Sequence, residues 1–109
     1  VIGGGYIGLE MGSVWRRLGA KVTGVEYAPR IVPAMDVEVA DAFARILKKQ
    51  GLELKTATKV TSVVRKGKKG IVTVEPAAGG AAEASEAEVV LLSIGRRPNT
   101  DGLNLAATG

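Results

Sequence analysis

Apolar residues recur at helical spacing in two stretches of the chain and at strand spacing elsewhere, and this division predicts its elements. Between Tyr6 and Leu18, residues Ile7, Met11, Val14, Trp15 and Leu18 fall on one face of a 3.6-residue helix. Gly8 and Gly12 stack one turn apart inside it, small enough to let the helix lie close on a sheet. Gly19 reads as the helix stop, and residues 21–25 form a short strand after it. The stretch from Tyr27 to Met35 holds two prolines and no sustained period, so it is predicted to be a loop. Asp36 is the predicted N-cap of a second helix, with Glu38 in its first turn. There Val39, Phe43, Ile46 and Leu47 share one face, Lys48 and Lys49 occupy the last turn, and Gly51 ends the helix. Leu52 to Lys55 then supplies a further short parallel strand.

Past this point the helical period stops. Lys59 to Arg65 and Ile71 to Glu75 are β-branched runs separated by a glycine-containing turn, which is a hairpin signal. Residues 76–86 are rich in Ala, Gly and Glu, have little to bury, and read as a surface loop without chemistry. Glu88 to Ile94 is a continuous apolar run, the pattern of a strand covered on both faces, and it is assigned to the parallel sheet beside the first strand. The order predicts an α/β chain: a parallel sheet with crossover helices plus a small antiparallel β-meander.

The connection between the first strand and the first helix carries the chemistry. Gly3, Gly5 and Gly8 fill the three fixed positions of G-x-G-x-x-G, with a strand before them and a helix after. The first glycine permits the tight turn, the second lets backbone approach a pyrophosphate, and the third allows close helix-to-strand packing. A pyrophosphate there sits over the helix N-terminus, where unpaired N–H groups and the helix dipole favour an anion. Glu26 ends the next strand, eighteen residues after Gly8, in place to accept hydrogen bonds from adenosine ribose hydroxyls. These features make the fold Rossmann-like, of the FAD/NAD(P)-binding kind. Gly95 falls at the carboxyl edge of the sheet, where ligands bind in such folds.

Composition narrows the chemistry. The 109 residues contain no cysteine and no histidine, which excludes a disulfide framework, a thiol nucleophile, a histidine base and zinc sites built from those residues. Redox chemistry therefore needs a bound cofactor, and neither a catalytic side chain nor a metal site is expected. The net charge of +4 does not point to nucleic acid. Its basic residues are dispersed except at Arg65–Lys69, and one Trp, two Tyr and one Phe are the whole aromatic complement for base stacking. No apolar run is long enough to span a bilayer, so a soluble chain is expected. Only Val1 and Ile2 precede the glycine turn, so the first strand reads as truncated and the chain as a piece of a longer one.

Two distant segments together resemble the pyridine nucleotide-disulfide oxidoreductases: residues 3–10 with the downstream Glu26, and residues 93–100, Ser-Ile-Gly-Arg-Arg-Pro-Asn-Thr. Within that family, residues 11–19 followed by Val25-Glu26 are most similar to the dihydrolipoamide dehydrogenases. The resemblance implies a flavoenzyme moving electrons between a dithiol substrate, a redox-active disulfide, FAD and NAD. Residues 1–95 are then its NAD-binding domain, and residues 96–109 an exit segment toward the FAD and interface regions.

The resemblance also implies roles. Gly3, Gly5 and Gly8 approach the pyrophosphate, and Glu26 takes the ribose. Glu10 helps position the nicotinamide, Tyr6 lies beside the flavin with Ile7 next to it, and Gly95 lets backbone approach the cofactor. Arg96, Pro98 and Asn99 shape the exit. The family's CxxxxC disulfide, its other FAD-binding motifs and its catalytic histidine are not in this chain, so the segment alone is expected to bind NAD weakly and turn nothing over. A full-length homodimer, membership of a 2-oxo acid dehydrogenase complex, and a cytoplasmic or mitochondrial-matrix location follow as further expectations. The alternatives are the same domain of a sister flavoprotein reductase, a glutathione or mercuric reductase or an NADH oxidase, and a non-catalytic nucleotide-binding module.

Overall fold

A computed structural model describes all 109 residues. Its first helix, α1, spans Tyr6–Arg17 and leads through Gly19, which has a positive φ, into strand β1, Thr23–Val25. Helix α2, Val37–Lys49, follows, and Gly51 turns the chain into strand β2, Glu53–Lys55. β1 and β2 pair in parallel, Thr23 opposite Glu53 and Val25 opposite Lys55. On the other side of β1 lies the segment before the glycine turn: Ile2 bridges in parallel to both Val25 and Leu92. The Ile2 N–H donates to the Leu91 carbonyl and the Ser93 N–H to that of Ile2, each at 2.8 Å. The layer order is thus β2, β1, Ile2, Leu92, with helical crossovers between the first three.

The second part is antiparallel. Strands β3 (Thr58–Lys66), β4 (Lys69–Pro76) and β5 (Glu83–Ala87) form one sheet in the order β3-β4-β5. A register shift between Val60 and Ser62 leaves Thr61 as a bulge in β3. Lys55–Glu83, Lys59–Glu75 and Lys69–Glu86 form ion pairs at 3.0, 2.7 and 2.6 Å. Two of these sit within the sheet, and the first ties it to β2. Leu9, Val22, Ile31, Val32, Ala40, Leu47 and Leu52 make the main core, and Val25 with Val72 and Val74 joins the two sheets.

Several predicted details change. The face of α1 against the sheet holds Gly8 and Gly12, as expected, together with Leu9; of the apolar stripe Trp15 packs against the core, but Met11, Val14 and Leu18 are exposed, Leu18 to 80%. Counting apolar side chains gives glycine no weight, yet a helix approaches a sheet most closely where side chains are missing. In α2 the buried pair is Ala40 and Leu47, with Phe43 and Ala44 packed beside them, while Val39 and Ile46 turn outward. Residues 76–86 are not wholly a loop: residues 83–86 begin β5, held by the β4 ladder and by ion pairs through Glu83 and Glu86 rather than by burial. The apolar run at 88–94 lies beside Ile2 as predicted but makes a single bridge there, and Val89, Leu92 and Ile94 are exposed. In residues 96–109 the regular structure is one 3-10 turn, Leu105–Thr108. No helix is long and apolar enough to cross a membrane.

Candidate functional site

The site begins at Gly3, whose φ of +106° turns the chain out of the sheet. A Cβ on this residue would run into the Ser93 carbonyl, so both conformation and space require glycine. Gly4, at an unspecified position of the motif, is needed as well. A Cβ there would lie 2.9 Å from the Glu26 Cβ. The peptide units around Gly4 are held on two sides: its N–H donates to Glu26 Oε2 at 2.6 Å, and its carbonyl accepts from the Val32 N–H at 2.8 Å. Val32 is buried with φ +40°, a left-handed conformation rare for a β-branched residue. Such strain persists only where surroundings over-determine it, and here the main core and the Gly4 hydrogen bond do so.

The remaining glycines divide by what surrounds them. A Cβ at Gly8 would strike the Gly3 carbonyl and lie 2.5 Å from Ser93 Oγ, and one at Gly12 would lie 3.3 Å from Leu52 Cδ1. Both seat α1 on the sheet. Gly5 differs: its φ is −77°, which any residue adopts, and no atom lies within 4 Å of a Cβ placed there. Gly5 is also the N-cap of α1, with no side chain capping the helix and no acidic residue in its first turn. The free N–H groups of that turn are thus left without a side-chain acceptor.

Glu26 is half-buried at the end of β1. Its two carboxylate oxygens each accept one backbone bond, Oε2 from Gly4 and Oε1 from the Ala28 N–H at 2.7 Å. An ionised carboxylate has about four lone-pair sites, so acceptor capacity remains at both oxygens.

A cleft of about 820 Å³ lies against these groups, within the usual range for small-molecule sites. Gly3, Gly5, Tyr6, Ile7, Glu26 and Gly95 all line it. Gly8 lies beneath the turn as a packing residue. Glu10 is exposed and is not on the wall, because one helical turn carries it away from the N-terminal end where the cleft meets α1. Tyr6, 64% exposed, stands at the cleft without Glu10 beside it.

The opposite wall is one that sequence reasoning misses. It is the free edge of β3, residues 58–63, with Tyr27 and Pro33 from the loop after β1. The Thr58 N–H donates to the Glu26 carbonyl at 3.0 Å, which brings this edge to the acid. No side-chain motif announces an edge strand's backbone, so its place is set by tertiary packing alone. Ser93 also goes unassigned in the sequence, although its hydroxyl bonds the Ile2 carbonyl at 3.0 Å and lies 3.4 Å from that of Gly3.

A parallel sheet, a glycine turn at its carboxyl edge, an uncapped helix and an acid at the end of the next strand define a protein of Rossmann-type α/β fold. More narrowly, the chain belongs to the pyridine nucleotide-disulphide oxidoreductase family, whose pattern matches residues 1–109. It is 56% identical over 109 residues to mitochondrial dihydrolipoyl dehydrogenase of Pisum sativum, covering all of this chain and 22% of that protein. It is 55% identical to leghemoglobin reductase of Glycine max, covering all of this chain and 21% of that protein. Among solved structures, the water-forming NADH oxidase of Lactobacillus brevis bound to NADH is similar with a TM-score of 0.79 at 27% identity. That match covers 92% of this chain and 21% of the oxidase. The chain thus spans about a fifth of the length of the relatives it matches.

Proposed function

We propose that this cleft binds NAD(H) as the nicotinamide-dinucleotide domain of a flavin-dependent dihydrolipoyl dehydrogenase. Residues 1–95 form that domain, and residues 96–109 lead toward FAD and interface regions of the same protein. The observation that carries the reading is the bond from the Gly4 N–H to Glu26 Oε2: it sets the acid and the pyrophosphate turn in fixed relation. In this reading the pyrophosphate lies over Gly3–Gly5 and the open N-terminus of α1, where Gly5 presents no side chain. The adenosine ribose donates its hydroxyls to the lone pairs that Glu26 keeps free. The nicotinamide end runs toward Tyr6, Ile7 and Gly95, and Glu10 acts from the rim. When bound, NAD and FAD supply the hydride chemistry that no side chain of this segment offers.

What this chain contributes is therefore binding and orientation. The free N–H groups at the start of α1 meet the anion, the Glu26 carboxylate selects hydroxyls, and the β3 edge closes the side of the cleft. A homodimer, association with a 2-oxo acid dehydrogenase complex, and a bacterial cytoplasmic or mitochondrial-matrix location complete the proposal; the pea relative is described as mitochondrial. A second reading, a sister flavoprotein reductase with another electron acceptor, draws on the leghemoglobin reductase and NADH oxidase relatives. Lipoamide turnover by the full-length protein separates the two.

The test of the cleft itself uses the full-length, flavin-loaded protein carrying Gly5→Asp. A carboxylate at this position caps α1 and repels a pyrophosphate. The expected result is retained flavin absorbance with NADH affinity lowered about a hundredfold. Loss of flavin with NADH binding intact would assign the turn to FAD and overturn the reading.

A further inference from the structure

Two lysines flank Glu26, and each is matched by a glutamate from the antiparallel sheet. The Lys55 carbonyl accepts from the Glu26 N–H at 2.9 Å, but the Lys55 ammonium is 3.0 Å from Glu83 and does not line the cleft. Lys59 does line it, one residue after Thr58, whose N–H binds the Glu26 carbonyl. Lys59 and Glu75 are direct cross-strand partners in β3 and β4, with Nζ and Oε1 2.7 Å apart. The side chains are 43% and 24% exposed, so the pair stands at the surface with its acid the more enclosed member. Glu75 holds the Lys59 ammonium above the ordinary lysine value, first through their hydrogen bond and then through its charge.

A lysine on the wall beside a ribose-reading acid is an obvious partner for a phosphate on that ribose. Its stem is long enough to swing, and an unpaired ammonium is a strong point-charge ligand for phosphate. We infer that Glu75 is a cofactor-specificity residue, which holds Lys59 away from the ribose 2′ position so that the cleft wall offers a 2′-phosphate no free lysine. Glu26 then rejects the 2′-phosphate by like charge, and Glu75 removes the cation that offsets this rejection. The inference rests on the NAD(H) reading of the cleft and adds to it a residue remote from the glycine turn.

The experiment measures equilibrium dissociation constants for NADH and NADPH at one ionic strength with the full-length, flavin-loaded protein. Glu75→Gln, which keeps the shape and loses the charge, is expected to tighten NADPH about fivefold relative to NADH. Glu75→Thr, which keeps a good strand former in β4, is expected to shift the ratio in the same direction. Adding Lys59→Met to Glu75→Gln should return the NADPH-to-NADH ratio to that of the unmodified protein. An unchanged ratio in both Glu75 variants, or a gain that survives Lys59→Met, would overturn the inference while leaving the NADH site standing. Absence of NADH binding in the unmodified protein would instead sink the reading of the cleft, and this inference with it.

Discussion

The two helices begin in opposite ways. α2 is completed by its own chain: Asp36 Oδ1 accepts from the Glu38 N–H at 2.9 Å and from the Val39 N–H at 3.5 Å, and Glu38 adds negative charge to the first turn. α1 has Gly5 as its cap, no side-chain acceptor and no acid in that turn. The contrast is not a matter of crowding, since a side chain at Gly5 would meet nothing within 4 Å. Room for a cap exists, yet none is present. A helix N-terminus capped by glycine gives up only about a few tenths of a kcal/mol against Asp or Ser, and it leaves its donors open to an anion from outside. The comparison separates glycines that the fold requires from the one that it does not.

The largest effect should come from treating a packing glycine as if it were open. Gly8→Val places branched atoms against the Gly3 carbonyl and Ser93 Oγ, both parts of the sheet edge, so neither can retreat cheaply. A loss of about 3 kcal/mol, at the upper end of overpacking costs, is expected in denaturant unfolding. A variant as stable as the parent would show that α1 does not seat on the sheet through Gly8. Gly5→Asp should behave in the reverse manner. With free space around it and an ordinary φ, it should change stability by a few tenths of a kcal/mol while lowering NADH affinity about a hundredfold. If unfolding and binding fell together in this variant, the distinction between the two glycines would collapse.

How far the sequence is legible follows the same distinction. Gly3 and Gly8 can be found because backbone geometry and close packing restrict what stands there, and such restrictions leave fixed residue types at fixed spacing. Asp36 is found for the same reason. Glu26 can be found because an acid at the end of the following strand belongs to the same motif as the glycines. The helix faces are legible only in part: the pair Gly8 and Gly12 marks where α1 lies on the sheet, but the apolar stripe leaves out the buried Leu9 and turns the exposed Met11, Val14 and Leu18 inward. β5 escapes notice because its Glu-Ala-Ser-Glu-Ala run buries almost nothing and is held by the ladder to β4. The β3 wall of the cleft escapes for a different reason, since its place depends on how two sheets pack through Val25, Val72 and Val74. Gly4 and Val32 belong to this group too, as their requirement arises from the loop that folds back over the turn.

That loop changes which substitutions should reverse cofactor choice. The family resemblance implies Glu26 and Val32 as the positions at which an NADP-binding member would carry arginine. Val32, however, is buried with a left-handed backbone in the main core, so an arginine there would disturb the fold before it met a phosphate. Tyr27 and Pro33 are exposed and line the cleft beside Glu26. The unmodified protein should prefer NADH over NADPH by about tenfold to several hundredfold, the range for one close like-charged contact near a surface. Glu26→Ala combined with Tyr27→Arg and Pro33→Arg should reverse that order, because guanidinium groups meet phosphate in a charge-assisted, bidentate geometry. Titration of both cofactors at one salt concentration decides it; equal affinities in the parent would mean that Glu26 does not read the ribose.

The smallest expected effect completes the comparison from the α2 side. Asp36→Ala removes the acceptor from two N–H groups at an exposed helix start, where water takes over part of the role. The expected loss is about 1 kcal/mol of stability, typical of an N-cap deletion. Asp36→Asn should recover most of it, since the amide oxygen accepts the same bonds without the charge. NADH affinity should be unchanged in both, because Asp36 is not among the residues lining the cleft. Thermal melts and NADH titrations of the two variants check this together. Weakened NADH binding in Asp36→Ala at temperatures well below its melting point would mean that the two helix ends are coupled. The capped end would then be part of the site rather than its counterpart.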